Sequence, residues 1–469
     1  MIKEIETPWA SKILFFLLCA TIVFTTLAYG TVHQPTLAVF YLLAVVIGVL
    51  WAFDALAGGV WRLPKSRLQI PLLAAFLYAL VQIIPFGSLA DLAGVAGVPR
   101  TISLEPFATR VAAVHFLALL IFLAALLTYV DTAKRLEKIV GAITIFGFVF
   151  AFFAVLQAVL SPNKIYGIYE VPYANPFGSF VNRHNFAAYM EMTICLPLGL
   201  LFVGAIGKDR RLLYITAIGL MGVALLLSGS RGGLVSLLAA IFFLIILTTK
   251  TRNAGQMALK IGLSVLLLAT IIVGAALIGG ESSLTRFAET ATSQDFSTSR
   301  TQIWSVTLQM IFNNLPFGVG FGAFGVAYTP FDSLNGLERV EQAHNDYLEV
   351  LATAGIVGAV IGGYFLYELF RTGLQNSSTA NNFRRGVCVG AFAGCFAILV
   401  HSLFDFVLHT TAIAMLFITC VALIAVSGGK FPDDRPEAEP RDHRKRRSSS
   451  SANVTSFEKE RKKRLEIER

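Results

Sequence analysis

Long hydrophobic runs alternate with short polar connections along most of the chain. A helix that crosses a bilayer needs about 20 consecutive, mostly apolar residues, and about twelve runs come close to that length. The pattern therefore predicts an all-α polytopic membrane protein with about 12 transmembrane helices, formed by residues 1–428. The predicted spans cover approximately residues 12–30, 36–57, 69–86, 110–130, 139–160, 185–206, 212–228, 232–249, 259–279, 345–370, 386–404 and 409–427.

Lys and Arg are concentrated in alternate connections between these runs. Connections rich in these residues usually face the cytoplasm, so both termini are predicted to be cytoplasmic as well. Three connections on the opposite side are long, at about residues 87–109, 161–184 and 280–344, and the last is the largest. The five basic connections carry Arg62, Lys65 and Arg67; Lys134, Arg135 and Lys138; Lys208, Arg210 and Arg211; Lys250, Arg252 and Lys260; and Arg371, Arg384 and Arg385.

The composition agrees with a membrane protein and argues against a nucleic-acid partner. The chain is 55% hydrophobic and 14% charged, whereas soluble proteins carry roughly 25% charged residues. Its net charge of +9 lies partly in short connections and partly in residues 429–469, which are rich in Pro, Ser and charged residues. This last segment is predicted to be a disordered, basic cytoplasmic tail, and the remaining charge follows the positive-inside rule.

One boundary between a polar segment and a hydrophobic run concentrates reactive side chains. Residues 343–349 join the long outer connection to the tenth predicted span and contain His344, Asn345 and Asp346. From the histidine onward, apolar residues and glycines recur at helical spacing as far as Gly358. A titratable group at this boundary can meet water and a bilayer-anchored molecule together. A histidine that simply caps a membrane helix is the alternative.

Arginines on the outer side are few, and three of them lie near predicted helix ends. Arg183 precedes the sixth span, and Arg231 lies among the small residues 228–233. Arg300 begins a predicted amphipathic helix that extends to about Asn314. Guanidinium groups match phosphate oxygens in a bidentate way, so arginines beside a histidine suit a phosphate-bearing ligand. A snorkelling or helix-capping arginine is the alternative for each.

Further histidines and carboxylates lie at the outer ends of other spans. His401 and Asp405, four residues apart at the end of the eleventh span, are expected to share a helix face. Convergence with His184 and His344 on a metal ion is conceivable, but no short ligand motif supports it, so no metal is predicted. Glu191 in the sixth span is expected to be the structural partner of an arginine.

Three segments resemble the O-antigen ligase / O-antigen polymerase family. They are residues 228–233 around Arg231, the segment from Arg300 to the glycine-rich residues 316–320, and His344-Asn345 followed after nine residues by the glycines of 355–358. The resemblance covers about residues 175–410, the motif-bearing core, and the spacing after His344 is its most specific part. The glycines there are expected to allow close helix packing, which would fix the position of the histidine.

The resemblance implies a metal-independent membrane glycosyltransferase with a GT-C-type architecture and no cofactor. Such an enzyme moves a glycan from undecaprenyl pyrophosphate to an acceptor hydroxyl at the periplasmic face of the bacterial inner membrane. His344 would be the general base for the acceptor hydroxyl, and Arg231 and Arg300 would hold the donor pyrophosphate. The residues themselves add Arg183, Asn345 and Asp346 as candidates for substrate binding. His184, His401 and Asp405 are candidates for supporting residues around the site.

The acceptor stays open at this point. Family members differ mainly in their acceptor, which is a lipid A-core sugar for a ligase, a second lipid-linked glycan for a polymerase, and a protein side chain for an O-glycosylating relative. We place the ligase first, the polymerase second and protein glycosylation third. A transporter or flippase for a lipid-linked glycan is the alternative from a different class. The lack of a two-half repeat and the collection of polar groups at one face argue against it.

Overall fold

The computed structural model describes residues 9–87, 100–172, 174–249, 298–332, 340–429 and 431–432, together with six single positions between 255 and 265. Within these ranges the chain is mostly helical, with 13 α-helices and one two-stranded hairpin. The described residues up to 429 belong to one compact unit. The predicted span at 259–279 and the predicted disordered tail lie largely outside the described residues.

The helices are numbered here in chain order. They are α1 (Trp9–Leu27), α2 (Gln34–Gly58), α3 (Ile70–Gln82), α4 (Pro106–Tyr129), α5 (Ala133–Leu160), α6 (Arg183–Val203), α7 (Arg211–Leu227), α8 (Arg231–Thr248), α9 (Thr298–Asn313), α10 (Phe324–Tyr328), α11 (Asp346–Asn376), α12 (Asn382–His401) and α13 (Thr411–Ser427). The hairpin pairs β1 (Lys164–Ile165) with β2 (Tyr169–Glu170) in antiparallel fashion. Short 3₁₀ turns occur at Tyr29–Thr31, Arg67–Gln69, Thr329–Phe331 and Val407–His409.

Eight of these helices are long and apolar enough to cross a membrane, namely α1, α2, α4, α5, α6, α8, α11 and α12. Three shorter apolar helices, α3 with the turn before it, α7 and α13, match three further predicted spans. Helices α7 and α13 have 17 residues each, somewhat fewer than the length typical of a crossing helix. The structure therefore supports a helical multi-pass membrane protein, whereas the count of about 12 spans stays a prediction.

Helix α6 lies in the interior of the bundle and packs closely against α12. Every residue from Asn185 to Leu200 is buried. The close approach depends on small residues, because a Cβ on Gly390 of α12 would come within 2.6 Å of the Cys195 carbonyl oxygen on α6. Small residues at an interface let membrane helices approach each other closely. This packing fixes the first turn of α6 relative to the last turn of α12.

Helix α11 is broken at Gly355, where φ is 60° and ψ is −149°. This region of backbone space is essentially restricted to glycine. The break exposes backbone groups that the glycine-rich segment 316–322 satisfies; for example, Ile356 N donates to the Pro316 carbonyl at 2.9 Å. A Cβ on Gly355 would collide with that same carbonyl. Segment 316–322, and not a neighbouring helix, therefore approaches the backbone closely at this glycine. The expectation that Gly355 allows close packing of helices is wrong.

The segment before α11 folds against the start of that helix. Helix α9 covers Thr298–Asn313, which confirms the predicted amphipathic helix. Its apolar side packs with α10 and the first turns of α11 around a buried cluster that includes Phe324. The indole Nε1 of Trp304 on α9 donates to the Ala343 carbonyl at 3.0 Å. The start of α9, which carries Arg300, is thereby held near the start of α11.

Candidate functional site

His344 lies immediately before α11 in a left-handed backbone conformation. Its φ is 50°, which costs a non-glycine residue roughly 1–2 kcal/mol, and such strain is often found at functional sites. The next residue, Asn345, caps the helix, because its Oδ1 accepts hydrogen bonds from Tyr347 N at 3.0 Å and Leu348 N at 3.1 Å. Its Nδ2 donates to the Leu403 carbonyl at 3.0 Å. The cap thus ties the start of α11 to the segment that follows α12.

The imidazole of His344 is paired with Asp405. Its Nδ1 lies 3.3 Å from Asp405 Oδ1, and the Phe406 ring meets the imidazole edge-on with centroids 4.8 Å apart. The Asp405 side chain is only 4% exposed, whereas that of His344 is 35% exposed. A buried carboxylate and an aromatic ring therefore orient an imidazole that still reaches solvent.

Asp405 also contacts Arg300. Arg300 Nη2 lies 3.4 Å from Asp405 Oδ2, and its Nη1 donates to the Phe404 carbonyl at 2.6 Å. Burial alone would raise the pKa of Asp405, but the hydrogen bond from His344 and the charges of His184 and Arg300 outweigh burial and lower it. Asp405 is therefore ionised at neutral pH and joins a histidine to an arginine.

A second group of side chains lies where α6 and α8 begin. His184 Nδ1 is 2.9 Å from Ser230 Oγ, and Ser230 caps α8 by accepting a hydrogen bond from Gly233 N at 3.2 Å. Arg183 and Arg231 are the first residues of α6 and α8, so this contact brings the two arginine positions to neighbouring helix ends. Helix N-termini attract anions through their unpaired N–H groups and dipole. The arrangement suits an anionic ligand.

His401 has a different partner from the one its spacing suggested. Its Nδ1 lies 2.9 Å from Glu191 Oε1, and both side chains are buried. The expectation that Glu191 pairs with an arginine is therefore wrong. Helix α12 ends at His401, so Asp405 lies beyond the helix and the two do not share a helix face. The imidazole packs against the first turn of α8, because a Cβ on Gly232 would come within 3.0 Å of His401 Nε2.

Two residues that sequence reasoning did not include in the site, Glu349 and His409, brace the backbone around the histidine. His409 Nδ1 lies 3.2 Å from Asp346 Oδ1, and its Nε2 lies 2.9 Å from Glu349 Oε1. Glu349 Oε2 in turn accepts a hydrogen bond from Ala343 N at 3.0 Å. Asp346 and Glu349 are three residues apart on one helix face, so their proximity could be predicted from the sequence. The sequence around His409 does not indicate its contact with them. The side chain of Asp346 is thus engaged by protein groups.

We expect the thermal stability of the protein to fall at alkaline pH through His409. Partial burial lowers the pKa of this imidazole, but Glu349 and Asp346 raise it well above the ordinary value of 6.5. A raised folded-state pKa gives stability that is complete below the ordinary pKa and is lost as the pH rises through the raised one. Melting temperatures of wild type and His409→Gln would be measured from about pH 6 to about pH 9. The melting temperature of the wild type should fall more steeply with rising pH than that of the variant.

His33 provides the matched control for this measurement, because it is also a partly buried histidine on a connection between helices. His33→Gln should retain the wild-type slope. An identical pH dependence in wild type and His409→Gln would contradict the assignment of a charged His409 between the two carboxylates.

Apart from Asn345, which caps α11, and Asp346, which pairs with His409, the predicted site residues fall into two adjoining groups. His344, Arg300 and Asp405 form the first, and the start of α8 adjoins it, because a Cβ on Gly232 would come within 3.8 Å of Phe404 Cβ. Within the described ranges, no three His, Cys, Asp or Glu side chains are arranged to hold a metal ion. The second group surrounds the starts of α6 and α8 and consists of Arg183, His184, Ser230, Arg231 and His401.

Comparison with known proteins gives one family match. The sequence profile of the O-antigen ligase family matches residues 216–361. No curated protein matches the chain. The matched segment contains Arg231, Arg300 and His344, the residues on which the resemblance rested. His184 and Asp405 lie outside it and join the site through the fold.

Proposed function

We propose that this chain belongs to the O-antigen ligase/polymerase family, whose profile matches residues 216–361, and that it is a GT-C-type glycosyltransferase of the bacterial inner membrane. It moves a glycan from undecaprenyl pyrophosphate to an acceptor hydroxyl at the periplasmic face, with about 12 spans and both termini in the cytoplasm. The observation that carries this proposal is the contact of His344 with Asp405 and of Asp405 with Arg300. In these contacts the proposed proton acceptor and the proposed phosphate-binding group share one carboxylate.

His344 acts as the general base. A sugar hydroxyl is a poor nucleophile, and histidine is the side chain best suited to take its proton near neutral pH. Because Nδ1 is turned toward Asp405, Nε2 accepts the proton of the acceptor hydroxyl. The hydroxyl oxygen then bonds to the anomeric carbon of the donor glycan. The bond from that carbon to the pyrophosphate oxygen breaks, and its electron pair leaves with undecaprenyl pyrophosphate.

The arginines stabilise the leaving pyrophosphate. Its negative charge increases as the glycosidic bond breaks, so fixed cations lower the barrier without moving during the reaction. Arg300 is held by Asp405 and the Phe404 carbonyl, and Arg231 and Arg183 stand at helix N-termini that favour anions. The pyrophosphate is already a good leaving group, so the proposed reaction needs no metal ion and no nucleotide.

We expect Asp405→Asn to lower the transfer rate by about 10²- to 10⁴-fold, as loss of a carboxylate that orients a catalytic histidine does elsewhere. An amide can present an N–H to Nδ1 and so favour the wrong tautomer of His344. Initial rates at saturating donor and acceptor would measure the loss. Asp209→Asn, which changes an exposed carboxylate paired with Arg210 on another connection, should transfer at the wild-type rate. A wild-type rate in Asp405→Asn would remove the orienting role.

Among the acceptors, a lipid A-core sugar remains our first proposal, followed by a second lipid-linked glycan and then a protein hydroxyl. The family match supports transfer of this general type and leaves these three to experiment. Purified protein in liposomes would receive labelled undecaprenyl-pyrophosphate glycan together with each acceptor in turn. Glycan transfer to the lipid A-core acceptor is the expected result. Movement of the donor across the bilayer, with no transfer to any acceptor, would establish the transporter alternative instead.

A further inference from the structure

Gln82, the last residue of α3, lies far from the family motifs in sequence but is fully buried against the outer segment. Its side-chain amide makes three hydrogen bonds to backbone groups. Nε2 donates to the Thr353 carbonyl at 2.9 Å and to the Phe317 carbonyl at 3.3 Å. Oε1 accepts from Phe321 N at 3.1 Å. One side chain therefore joins α3, the glycine-rich segment 316–322 and α11.

The break in α11 explains why an amide is needed here. At Gly355 the helix loses its regular ladder, so the carbonyl of Thr353 has to find partners outside it. Gly320 N and Gln82 Nε2 both donate to this carbonyl. On the same side, the Tyr78 hydroxyl of α3 donates to the Phe317 carbonyl at 2.7 Å. The end of α3 thus holds the glycine-rich segment against the broken helix.

The segment held in this way connects the two helices that position Arg300 and His344. It follows α9, which carries Arg300 at its start. It also forms backbone hydrogen bonds with residues 352–356 of α11, the helix that begins directly after His344. The relative position of the arginine and the histidine therefore depends on two fastenings. One is the hydrogen bond of Trp304 to Ala343 near the site, and the other is Gln82 at the far end of α9.

We propose that Gln82 is a positioning residue for glycan transfer, acting through segment 316–322 on the separation of Arg300 from His344. This inference rests on the proposed function. It assigns the N-terminal helices, which lie outside the family match at 216–361, a part in the reaction. Displacement of a catalytic group by about 1 Å can cost about 100-fold in rate, so the loss of this fastening reaches the chemistry without touching a substrate.

The chain offers a matched control in Gln157, near the end of α5. Its Nε2 donates to the Gly178 carbonyl at 2.8 Å and its Oε1 accepts from Tyr166 N at 2.9 Å. This amide is also buried and also holds an outer connection, but not segment 316–322. Gln82→Met and Gln157→Met each remove a buried amide while keeping side-chain length, so both should lower the melting temperature to a similar degree.

The expected difference lies in catalysis. Gln82→Met should lower kcat by about 10- to 100-fold with a smaller change in donor KM, whereas Gln157→Met should change kcat less than about threefold. Tyr78→Phe, a milder change on the same fastening, should lower kcat in the same direction and serves if Gln82→Met does not fold. Hydrogen exchange should increase within 316–322 in Gln82→Met but not in Gln157→Met.

A double-mutant cycle separates positioning from general stability. If Gln82 acts through the arginine, Gln82→Met should lower kcat less than about twofold in an Arg300→Ala background, because coupled residues are not additive. Independent effects would multiply and overturn the inference. With an active wild type, equal kcat values for Gln82→Met and Gln157→Met would overturn it too and leave the proposed function intact. An inactive wild type with every acceptor would remove both.

Discussion

Replacement of His344 by Ala is expected to abolish detectable glycan transfer, lowering the rate by at least about 10²- to 10⁴-fold, the usual contribution of a general base. Asp405, the carboxylate beside His344, is not expected to replace it as the base, because it is buried and already bound to Arg300 and to Phe406 N. Donor binding should survive, since the arginines remain. Single-turnover transfer and equilibrium binding of labelled donor would measure the two quantities separately.

His33→Ala is the control for this experiment, because His33 also lies directly before a helix, as the N-cap residue of α2. It should transfer glycan at the wild-type rate. If His344→Ala were to retain the wild-type rate with the same acceptor, the base assignment would be wrong, although the pyrophosphate site could still stand.

Arg300→Ala and Arg231→Ala should each lower the transfer rate by about 10²- to 10³-fold, the loss seen when one group that stabilises a developing negative charge is removed. Arg300→Lys should transfer faster than Arg300→Ala but more slowly than the wild type. Lysine supplies a charge but not the planar fork that contacts Asp405 and Phe404 together. Donor titration and rate measurements on the same preparations would show whether the loss falls on binding or on turnover.

Arg100→Ala is the matched control, because this arginine is exposed and stacks over Phe86 at 5.6 Å. It should affect neither quantity. Unchanged donor affinity together with unchanged turnover in both Arg231→Ala and Arg300→Ala would exclude the proposed pyrophosphate site.

Features written into consecutive residues could be predicted from the sequence. The hydrophobic runs gave the helices, since burial in a bilayer leaves a continuous apolar signal. The junction at His344 and the amphipathic pattern after Arg300 marked the two segments that meet in the candidate site. The family match at 216–361 agrees with motifs that were visible as short strings. In each case the information lies within about one helix length.

Contacts between distant residues could not be predicted in the same way. His344 and Asp405 are 61 residues apart, and Gln82 and Thr353 are 271 apart. Hydrophobic periodicity says that a residue lies at a helix end, but it does not say which helix ends meet. Glu191 shows the difference: a carboxylate in an apolar helix needs a partner, yet the sequence alone does not choose between an arginine and a histidine.

The spacing after His344 singles out Gly355, but it does not predict that the helix breaks there. A glycine in a membrane helix more often allows a neighbouring helix to approach, so the sequence predicts close helix packing at this position. Here the backbone breaks, and segment 316–322 supplies the missing hydrogen bonds. The signal that would have identified the break lies more than thirty residues upstream, in the paired glycines at 318 and 320, both of which have positive φ.

The left-handed backbone at position 344 also limits how a descendant of this protein can lose activity and remain folded. Asn, Asp and Gly adopt this conformation at low cost, whereas β-branched residues resist it strongly. A lineage released from selection for transfer would therefore lose less stability with one of those three residues than with Val or Ile. Catalytically silent relatives should therefore be recognisable by a small polar residue or glycine at this one position, directly before an unchanged Asn cap.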